Sequence, residues 1–464
     1  MKTWNVEPPI FRWTKQQLEA LSYIQRFLQH PTQRKFILKG YAGSGKTSLI
    51  SRTIRPLTFA GARIVVVAPT NKAVAVIRGM MESIGLTDIE CRTIHSLLGI
   101  SLVRYEIYNS IEEEFRARGS NRPSLKVYDI VVIDEGSMIP KGICEYFNKR
   151  IEAESNAKVI IMGDPAQLPP VGEPYASMLE GSPSYELTDV VRTKKDNYIL
   201  PVVTEIRNNI DNPKPISSHK SNMNGDEGIQ FYRSKAKFVA GLRRALKNGC
   251  GFNNGIREVM VLAWSGNMVT HYNRLIREIL FKRTELNTFE LGDIVLADKP
   301  FADIEGNMIL HTADDGIVVN VEPYDNEYNI EGINLSIELF DGGQVVVPVL
   351  TKKGDAKLKR VLKKIKNEAI GINKLQNKKK WSRKWKDFYN LRDNFAAIKH
   401  GYATTVHKSQ GTTCENVFIV ETNIDMNPDV VERNKCKYVA YSRASKSVHC
   451  LWNPLIIAGH SHNG

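Results

Sequence analysis

FILKGYAGSGKTSL (residues 36–49) reads as three pieces: an apolar run, a glycine-punctuated turn, and a second apolar pattern opened by Lys-Thr. The spacing Gly40-Tyr41-Ala42-Gly43-Ser44-Gly45-Lys46-Thr47 fits G-x-x-x-x-G-K-[ST] and follows a strand directly. Gly40, Gly43 and Gly45 free the backbone, so that the N–H groups around Ser44 turn inward as a nest for phosphate oxygens. The helix that starts there points its positive end at the same oxygens. Lys46 would reach the β- and γ-phosphates, and the Thr47 hydroxyl would ligate Mg²⁺. The ligand expected is ATP with Mg²⁺.

Working outward, short apolar strands alternate with helical patterns from about residue 14 to residue 195. The expected strands are Phe36–Lys39, Ile64–Ala68, Tyr128–Ile133 and Val159–Met162, each followed by a polar or Gly-rich turn. That rhythm predicts an α/β domain with a parallel sheet and its ligands beyond the strand ends. Residues 99–122 interrupt it, and the alternation of Val103, Tyr105 and Ile107 with polar neighbours suits an inserted hairpin. A second α/β pattern runs through Val259–Trp264, Val417–Val420 and Val448–Leu451. Between its parts, Ile294–Leu296, Gly316–Val321, Ile333–Phe340 and Gln344–Val349 look like a small inserted β-barrel. The expected domains are 1–98 with 123–196, a hairpin at 99–122, a second α/β domain at 197–290 with 396–464, and an insertion at 291–395.

The strand YDIVVIDE ends in two acids, Asp134 and Glu135. Adjacent strand residues face opposite ways, so the two would take different jobs. Asp134 would hold Mg²⁺ through the outer shell, and Glu135 would orient and deprotonate an attacking water. Gln167, in the turn after the next strand, would sense the γ-phosphate, while Arg192 and Arg443 are candidate cations for the charge that develops on it. Either arginine also fits an ordinary surface ion pair.

Composition narrows the class. The 464 residues are 42% hydrophobic and 25% charged, ordinary for a globular protein and unlike a disordered or fibrous chain. No apolar run approaches the ~18 residues of a membrane span, so no membrane partner and a cytoplasmic location are expected. Six cysteines at 91, 144, 250, 414, 436 and 450 show no metal-ligand spacing and read as reduced thiols. Net charge is +14, and Lys352 to Lys386 holds fifteen basic residues against Asp355 and Glu368. Such a block suits a nucleic acid, while Leu358, Leu362, Ile365 and Ala369 at helical spacing suit a solvated helical face equally well.

Nine segments, in order, resemble the motifs of superfamily 1 helicases: Thr14–Gln17, GYAGSGKT, APTNKA (68–73), TIHSLL (93–98), DEGSM, GDPAQLPPV (163–171), LTDVVR, TTVHKSQG (404–411) and YVAYSRA (438–444). QLPPV and HKSQG are the wording of the RecD-like branch. The resemblance implies two RecA-like P-loop domains, an inserted β-hairpin acting as a wedge, and an inserted SH3-like β-barrel with the basic helical segment. It implies an ATP- and Mg²⁺-dependent enzyme moving 5′ to 3′ on single-stranded DNA and unwinding duplex at a fork, with replication or recombination proteins as further partners. In that pattern Gln17 contacts the base, Gln410 and Gly411 line the nucleotide site, and Arg192 and Arg443 are its arginine fingers. Three features depart from the pattern: Gly136 after the paired acids, YSRA in place of YTRA, and the strongly basic segment.

The nucleic-acid track would use donors beyond strand ends: Pro69, Thr70, Asn71 and Lys72, then Thr93 and His95, then Thr405 and His407. Trp381, Trp385, Phe388 and Tyr389 interleave with basic residues as base-stacking groups would, but their one-turn spacing predicts packing for at least half of them. Tyr105, Tyr108 and Phe115 are candidates to face the fork. Two rival readings remain: a translocase that strips proteins from DNA with little unwinding, and a non-catalytic single-strand binder with a relict phosphate loop.

Overall fold

The computed structural model describes residues 13–107, 110–117, 124–190, 198–248, 250–253, 256–303, 308–340, 342–372 and 377–453. The chain forms two compact units, with the main change between residues 197 and 198.

Unit 1 is built on β1 (Lys35–Gly40), β2 (Ile64–Ala68), β3 (Glu90–Thr93), the ribbon β4 (Ile100–Ile107) and β5 (Ser110–Ala117), β6 (Ile130–Ile133), β7 (Lys158–Gly163) and β8 (Ser184–Leu187). Six of these form one sheet in the order β3-β2-β6-β7-β1-β8, parallel throughout. Alternate residues of each strand enter different cores. Phe36 and Leu38 join Val66, Val132 and Ile160 on one face, while Ile37 joins Val65, Val131 and Ile161 on the other. Helices α1 (Lys15–Gln29), α2 (Lys46–Phe59) and α3 (Asn71–Ser83) cover the first face; α4 (Ile94–Leu98) and the helix Lys141–Glu154 cover the second. Burial on both faces is why these strands read as continuous apolar runs.

The strands β3 and β8 carry no apolar run and were not anticipated. Both are four-residue sheet edges, ECRT and SYEL, where one side of the ladder has no neighbour to pack. The ribbon stands apart as its own antiparallel pair, in register from Ile100 opposite Ala117 to Ile107 opposite Ser110.

Unit 2 contains β9 (Asn222–Asn224), β10 (Glu227–Tyr232), β11 (Phe252–Asn253), β12 (Ile256–Ala263), β13 (Ile294–Ala297), β14 (Phe301–Ala302), β15 (Met308–Leu310), β16 (Asp315–Tyr324), β17 (Gly332–Leu339), β18 (Gln344–Leu350), β19 (Ile398–His400), β20 (Ala403–Thr405), β21 (Cys414–Ile419) and β22 (Ala444–Leu451). Its main sheet runs β11-β12-β21-β22-β10-β9, with β20 also on β12. The central strands are parallel, and short antiparallel strands close its two ends. A separate antiparallel sheet, β18-β17-β16-β13-β19, wraps a core of Val295, Val318, Leu335, Ile337 and Val347. Its outer strands β18 and β19 are not paired to each other as strands. A hydrogen bond from the Ala396 N–H to the Pro348 carbonyl (2.8 Å) joins β18 to the segment leading into β19.

The basic segment folds as two packed helices, Lys352–Ile370 and Lys378–Asp393. Leu358, Ile365, Phe388 and Leu391 are buried in a cluster with Leu362, Trp385 and Tyr389 against it. Trp385 lies 5.6 Å from Phe388 and 5.8 Å from Tyr389, ring centre to ring centre. Three of the four aromatics considered for base stacking are therefore packed within the protein. The acids of the block are spent locally: Glu368 pairs with Lys384 across the two helices and Asp355 with Lys359.

Candidate nucleotide site

The phosphate loop begins at the end of β1 and passes into α2 through two left-handed glycines, Gly43 and Gly45, both at φ 81°. L-residues seldom adopt that conformation. At Gly45 a Cβ would also lie 2.6 Å from the Gln17 amide, and at Gly40 one would lie 2.8 Å from Ser44 Oγ. Gly45 is the N-cap of α2 and offers no side-chain cap, so the helix start is left to a ligand.

Gln17 is buried, and both ends of its carboxamide are engaged. Its oxygen takes the Thr14 N–H (3.1 Å) in a capping box that starts α1, and its nitrogen donates to the Ser44 carbonyl (3.2 Å). The side chain expected to contact a base thus braces the loop as it stands. Lys46 Nζ donates to the carbonyls of Gly40 (2.5 Å) and Tyr41 (3.2 Å), folded over the same loop.

Thr47 Oγ1 donates to Asp134 Oδ2 (3.2 Å), which places the two expected Mg²⁺ ligands together. Burial pushes the Asp134 carboxyl up from its ordinary value, against the Glu135 N–H, the Lys46 charge and the Thr47 hydroxyl. A divalent cation would reverse that balance. Glu135 sits at φ 50°, ψ 40°, a left-handed conformation rare outside glycine, at the position expected to handle the attacking water. Gly136, one of the departures from the family wording, has a packing reason. A Cβ there would meet Ile161 Cγ2 at 2.9 Å and the Met162 carbonyl at 3.1 Å.

Gln167 is buried in the turn after β7, where its N–H bonds the Asp164 carbonyl (3.2 Å). Its Oε1 and Ser44 Oγ are both buried without a hydrogen-bond partner. Orphaned buried oxygens are costly, about 1–3 kcal/mol each, and two of them on the predicted site residues fit a site completed by a polar ligand. Thr47 and Asp134 supply hard oxygen donors of the type Mg²⁺ takes.

The remaining candidates in the first half of the chain lie at strand ends. Pro69 and Thr70 follow β2, and Asn71 and Lys72 open α3. Thr93 ends β3 and takes the Ser96 N–H (3.1 Å), capping the short helix that carries His95. Arg192 and Tyr108 lie outside the described residues, as do the side chains of Tyr105 and Phe115.

In unit 2, Thr405 ends β20 and accepts the Lys408 N–H, and His407 opens a one-turn 3₁₀ helix to Ser409. Gln410 is buried, and Gly411 is left-handed at φ 72°. Arg443 ends the helix Val430–Ser442 and is 7% exposed. It donates to the carbonyls of Val439 (3.1 Å) and Thr412 (3.3 Å) and to Ser442 Oγ (3.0 Å). Ser442 thus supplies the hydroxyl oxygen that the YTRA wording would supply, and its own hydroxyl donates to Val439.

Sequence reading missed the charge network beneath this helix. Glu421, wholly buried, accepts from Lys437 Nζ (2.9 Å), His219 Nε2 (3.1 Å), Tyr441 Oη (2.5 Å) and Cys450 Sγ (3.0 Å). Lys437 also pairs with Asp425 (2.7 Å). Burial works to raise the Glu421 carboxyl, but the Lys437 charge and the His219 and Tyr441 donors outweigh it and hold it well below the usual range. Burial likewise works against the Lys437 ammonium, and Glu421 with Asp425 outweigh it and raise it. The available signal was a lysine inside the apolar run CKYVAY, at 436–441.

A loop for phosphates, a threonine–aspartate pair for a cation and a buried glutamine beyond the next strand define a P-loop nucleoside triphosphatase. Residues 13–220 match the AAA domain family, and residues 400–451 match the UvrD-like helicase C-terminal domain. The chain is 26% identical over 500 residues to the uncharacterized protein R530 of Acanthamoeba polyphaga mimivirus, covering 93% of this chain and 98% of that one. It is 24% identical over 466 residues to the ATP-dependent DNA helicase dda of Enterobacteria phage T4, covering 94% and 98%. A crystal structure of Pif1 helicase from Candida albicans aligns over 97% of this chain and 99% of that one, at 16% identity and a TM-score of 0.47. The two domain matches, the phage helicase relative and the order of the motifs together support a superfamily 1 helicase.

Proposed function

We propose that this enzyme is an ATP-dependent DNA helicase that moves 5′ to 3′ on single-stranded DNA and opens duplex at a fork. The observation that carries the reading is the grouping of Lys46, the Thr47–Asp134 pair and the strained Glu135 around one phosphate loop, in a chain whose other end matches a helicase C-terminal domain. A relict loop has no reason to keep a left-handed glutamate or two unsatisfied buried oxygens, both of which cost stability. The similarity to a phage DNA helicase over nearly the full length of both chains supports DNA as the track.

Mg²⁺ held by Thr47 and Asp134 would supply charge against the β- and γ-phosphates. Lys46 gives up its loop carbonyls for phosphate oxygens. Glu135 takes the proton of the attacking water, and Gln167 reads the γ-phosphate through its amide N–H₂ donors, while the oxygen it now buries unpaired accepts from the attacking water. Gln17 holds Ser44, so the state of the loop is felt at the start of α1. Arg443 and Arg192 take the cationic role in turnover, with Gln410 and Gly411 as further nucleotide-site residues. Pro69, Thr70, Asn71, Lys72, Thr93, His95, Thr405 and His407 contact the strand, and the β4–β5 ribbon separates duplex. The enzyme would work in the cytoplasm, with replication or recombination proteins as partners. Among the described residues no helix is long and apolar enough to cross a membrane.

The deciding experiment compares ATP-dependent unwinding of duplexes carrying a 5′ or a 3′ single-stranded tail. Unwinding of the 5′-tailed substrate alone is the expected result. Unwinding from the 3′ tail would reverse the polarity, and ATP turnover without unwinding of either would favour the protein-stripping translocase.

A further inference from the structure

We propose that unit 2 holds a site for a thiophilic divalent cation of the Zn²⁺ class, formed by His407, Glu432 and Cys436. One ligand atom from each lies within 4.8 Å of the other two. Glu432 and Cys436 stand one turn apart on the helix Val430–Ser442, hence on one face, and His407 reaches them from the 3₁₀ turn after β20. An acid beside a histidine is common on protein surfaces; the buried thiol inside the same triangle sets this group apart.

The distances suit the chemistry. His407 Nε2 and Glu432 Oε1 are 3.4 Å apart. Two ligands at ~2.0–2.1 Å in a tetrahedron stand about 3.3 Å from each other. A sulfur at ~2.3 Å stands about 3.6 Å from such a ligand, so from a separation of at most 4.8 Å the Cys436 side needs to close by at most about 1.2 Å. The Glu432 and His407 side chains are 41% and 23% exposed, and Cys436 is fully buried. A cation therefore meets the carboxylate and imidazole first and the sulfur last. Asp429 accepts the Glu432 N–H (2.9 Å), which fixes the first turn of the helix that carries the carboxylate. The mixed nitrogen, oxygen and sulfur set disfavours Mg²⁺ and suits Zn²⁺, with a fourth position left for water. Binding converts the thiol to a metal-bound thiolate and releases its proton to solvent, with no change of oxidation state.

The ion would tie the turn at His407–Ser409 to the helix that ends at Arg443. It would also withdraw His407 from the DNA strand, so that Zn²⁺ weakens single-strand binding; this consequence rests on the proposed function, whereas the site itself does not.

The test titrates Co²⁺ into the full-length, metal-free protein in a thiol-free reductant and follows thiolate-to-cobalt charge-transfer absorbance. The expected result is a band saturating at one ion per chain, displaced by Zn²⁺, absent in Cys436→Ala and retained in Cys250→Ser. Glu432→Gln, at an exposed position, should weaken Co²⁺ binding about tenfold or more, and this variant carries the test if Cys436→Ala fails to fold by circular dichroism. No band in the wild type, or a band unchanged by both Cys436→Ala and Glu432→Gln, overturns the site. Cobalt at Thr47 and Asp134 has only oxygen ligands and gives no thiolate band. Loss of unwinding alongside an intact band would count against the helicase reading alone.

Discussion

The phosphate loop of unit 1 and the Glu421–Lys437 network of unit 2 answer the same problem, buried polar atoms, in opposite ways. In the loop, Ser44 Oγ and Gln167 Oε1 are buried without partners, Asp134 is raised by burial, and Glu135 is held in a left-handed conformation. In the network, Glu421 takes four donors, Lys437 has two carboxylates, and Arg443 spends its guanidinium on neighbouring oxygens. The first region stores cost that a nucleotide would relieve. The second neutralises its charges internally and works as a scaffold for the helix above it.

If the network is scaffold, its loss should be the larger stability effect. Lys437→Ala leaves two carboxylates buried without their cation, and should destabilise unit 2 by about 3–5 kcal/mol. Chemical denaturation followed by a probe in unit 2 measures this, while binding of a fluorescent ATP analogue to unit 1 should be retained. A loss below about 1 kcal/mol would remove the scaffold from the comparison.

Lys46→Ala should lower DNA-stimulated ATP turnover by about 10²–10³-fold or more, with melting temperature nearly unchanged, because the group it removes acts on the ligand. Salt-sensitive binding to single-stranded DNA should persist. Turnover within tenfold of wild type would mean that the nucleotide site lies elsewhere. Gly136→Ala, which drives a methyl group against Ile161 and the Met162 carbonyl, should cost about 1–3 kcal/mol of unit 1 stability by denaturant titration.

The pH response separates the regions further. The Glu421 carboxyl is held below its ordinary value of 4.5, so its contribution is complete above that pH and is lost as pH falls toward the depressed value. Unit 2 of the wild type should therefore lose stability on acidification below about 4.5, and Glu421→Gln should flatten that slope. An unchanged slope in the variant would assign the acid sensitivity to other carboxylates. The smallest expected effect lies on the basic helices. Replacing the exposed Lys363 and Lys364 by Gln should reduce the salt slope of DNA binding by about two. A slope that does not move would make the segment a solvated face.

The sequence exposed the first region well because its parts are local. A phosphate loop is a run of backbone conformations written in glycines, and Asp134 and Gln167 are marked by apolar strands that end abruptly before them. Its two edge strands, ECRT and SYEL, were illegible because a strand with one open side needs no apolar run. The network of unit 2 was hidden for a different reason. Glu421 and Lys437 are sixteen residues apart, and His219 is some two hundred residues from both, joined only when the short helix Glu421–Ile424 after β21, the helix Val430–Ser442 and the segment before β9 pack. Gln17 was legible as a member of the site, and its bracing of Ser44 was not.

By itself the sequence determined the α/β class, the phosphate loop with its threonine and paired acids, and the motif order of a superfamily 1 helicase, because strand periodicity and glycine-dependent turns are properties of short segments. Tertiary structure alone decided that Trp385, Phe388 and Tyr389 pack inward, that Gly136 is required by β7, and that His407, Glu432 and Cys436 converge. Each of those depends on which distant side chain arrives at a given surface, and no local pattern of residues encodes that.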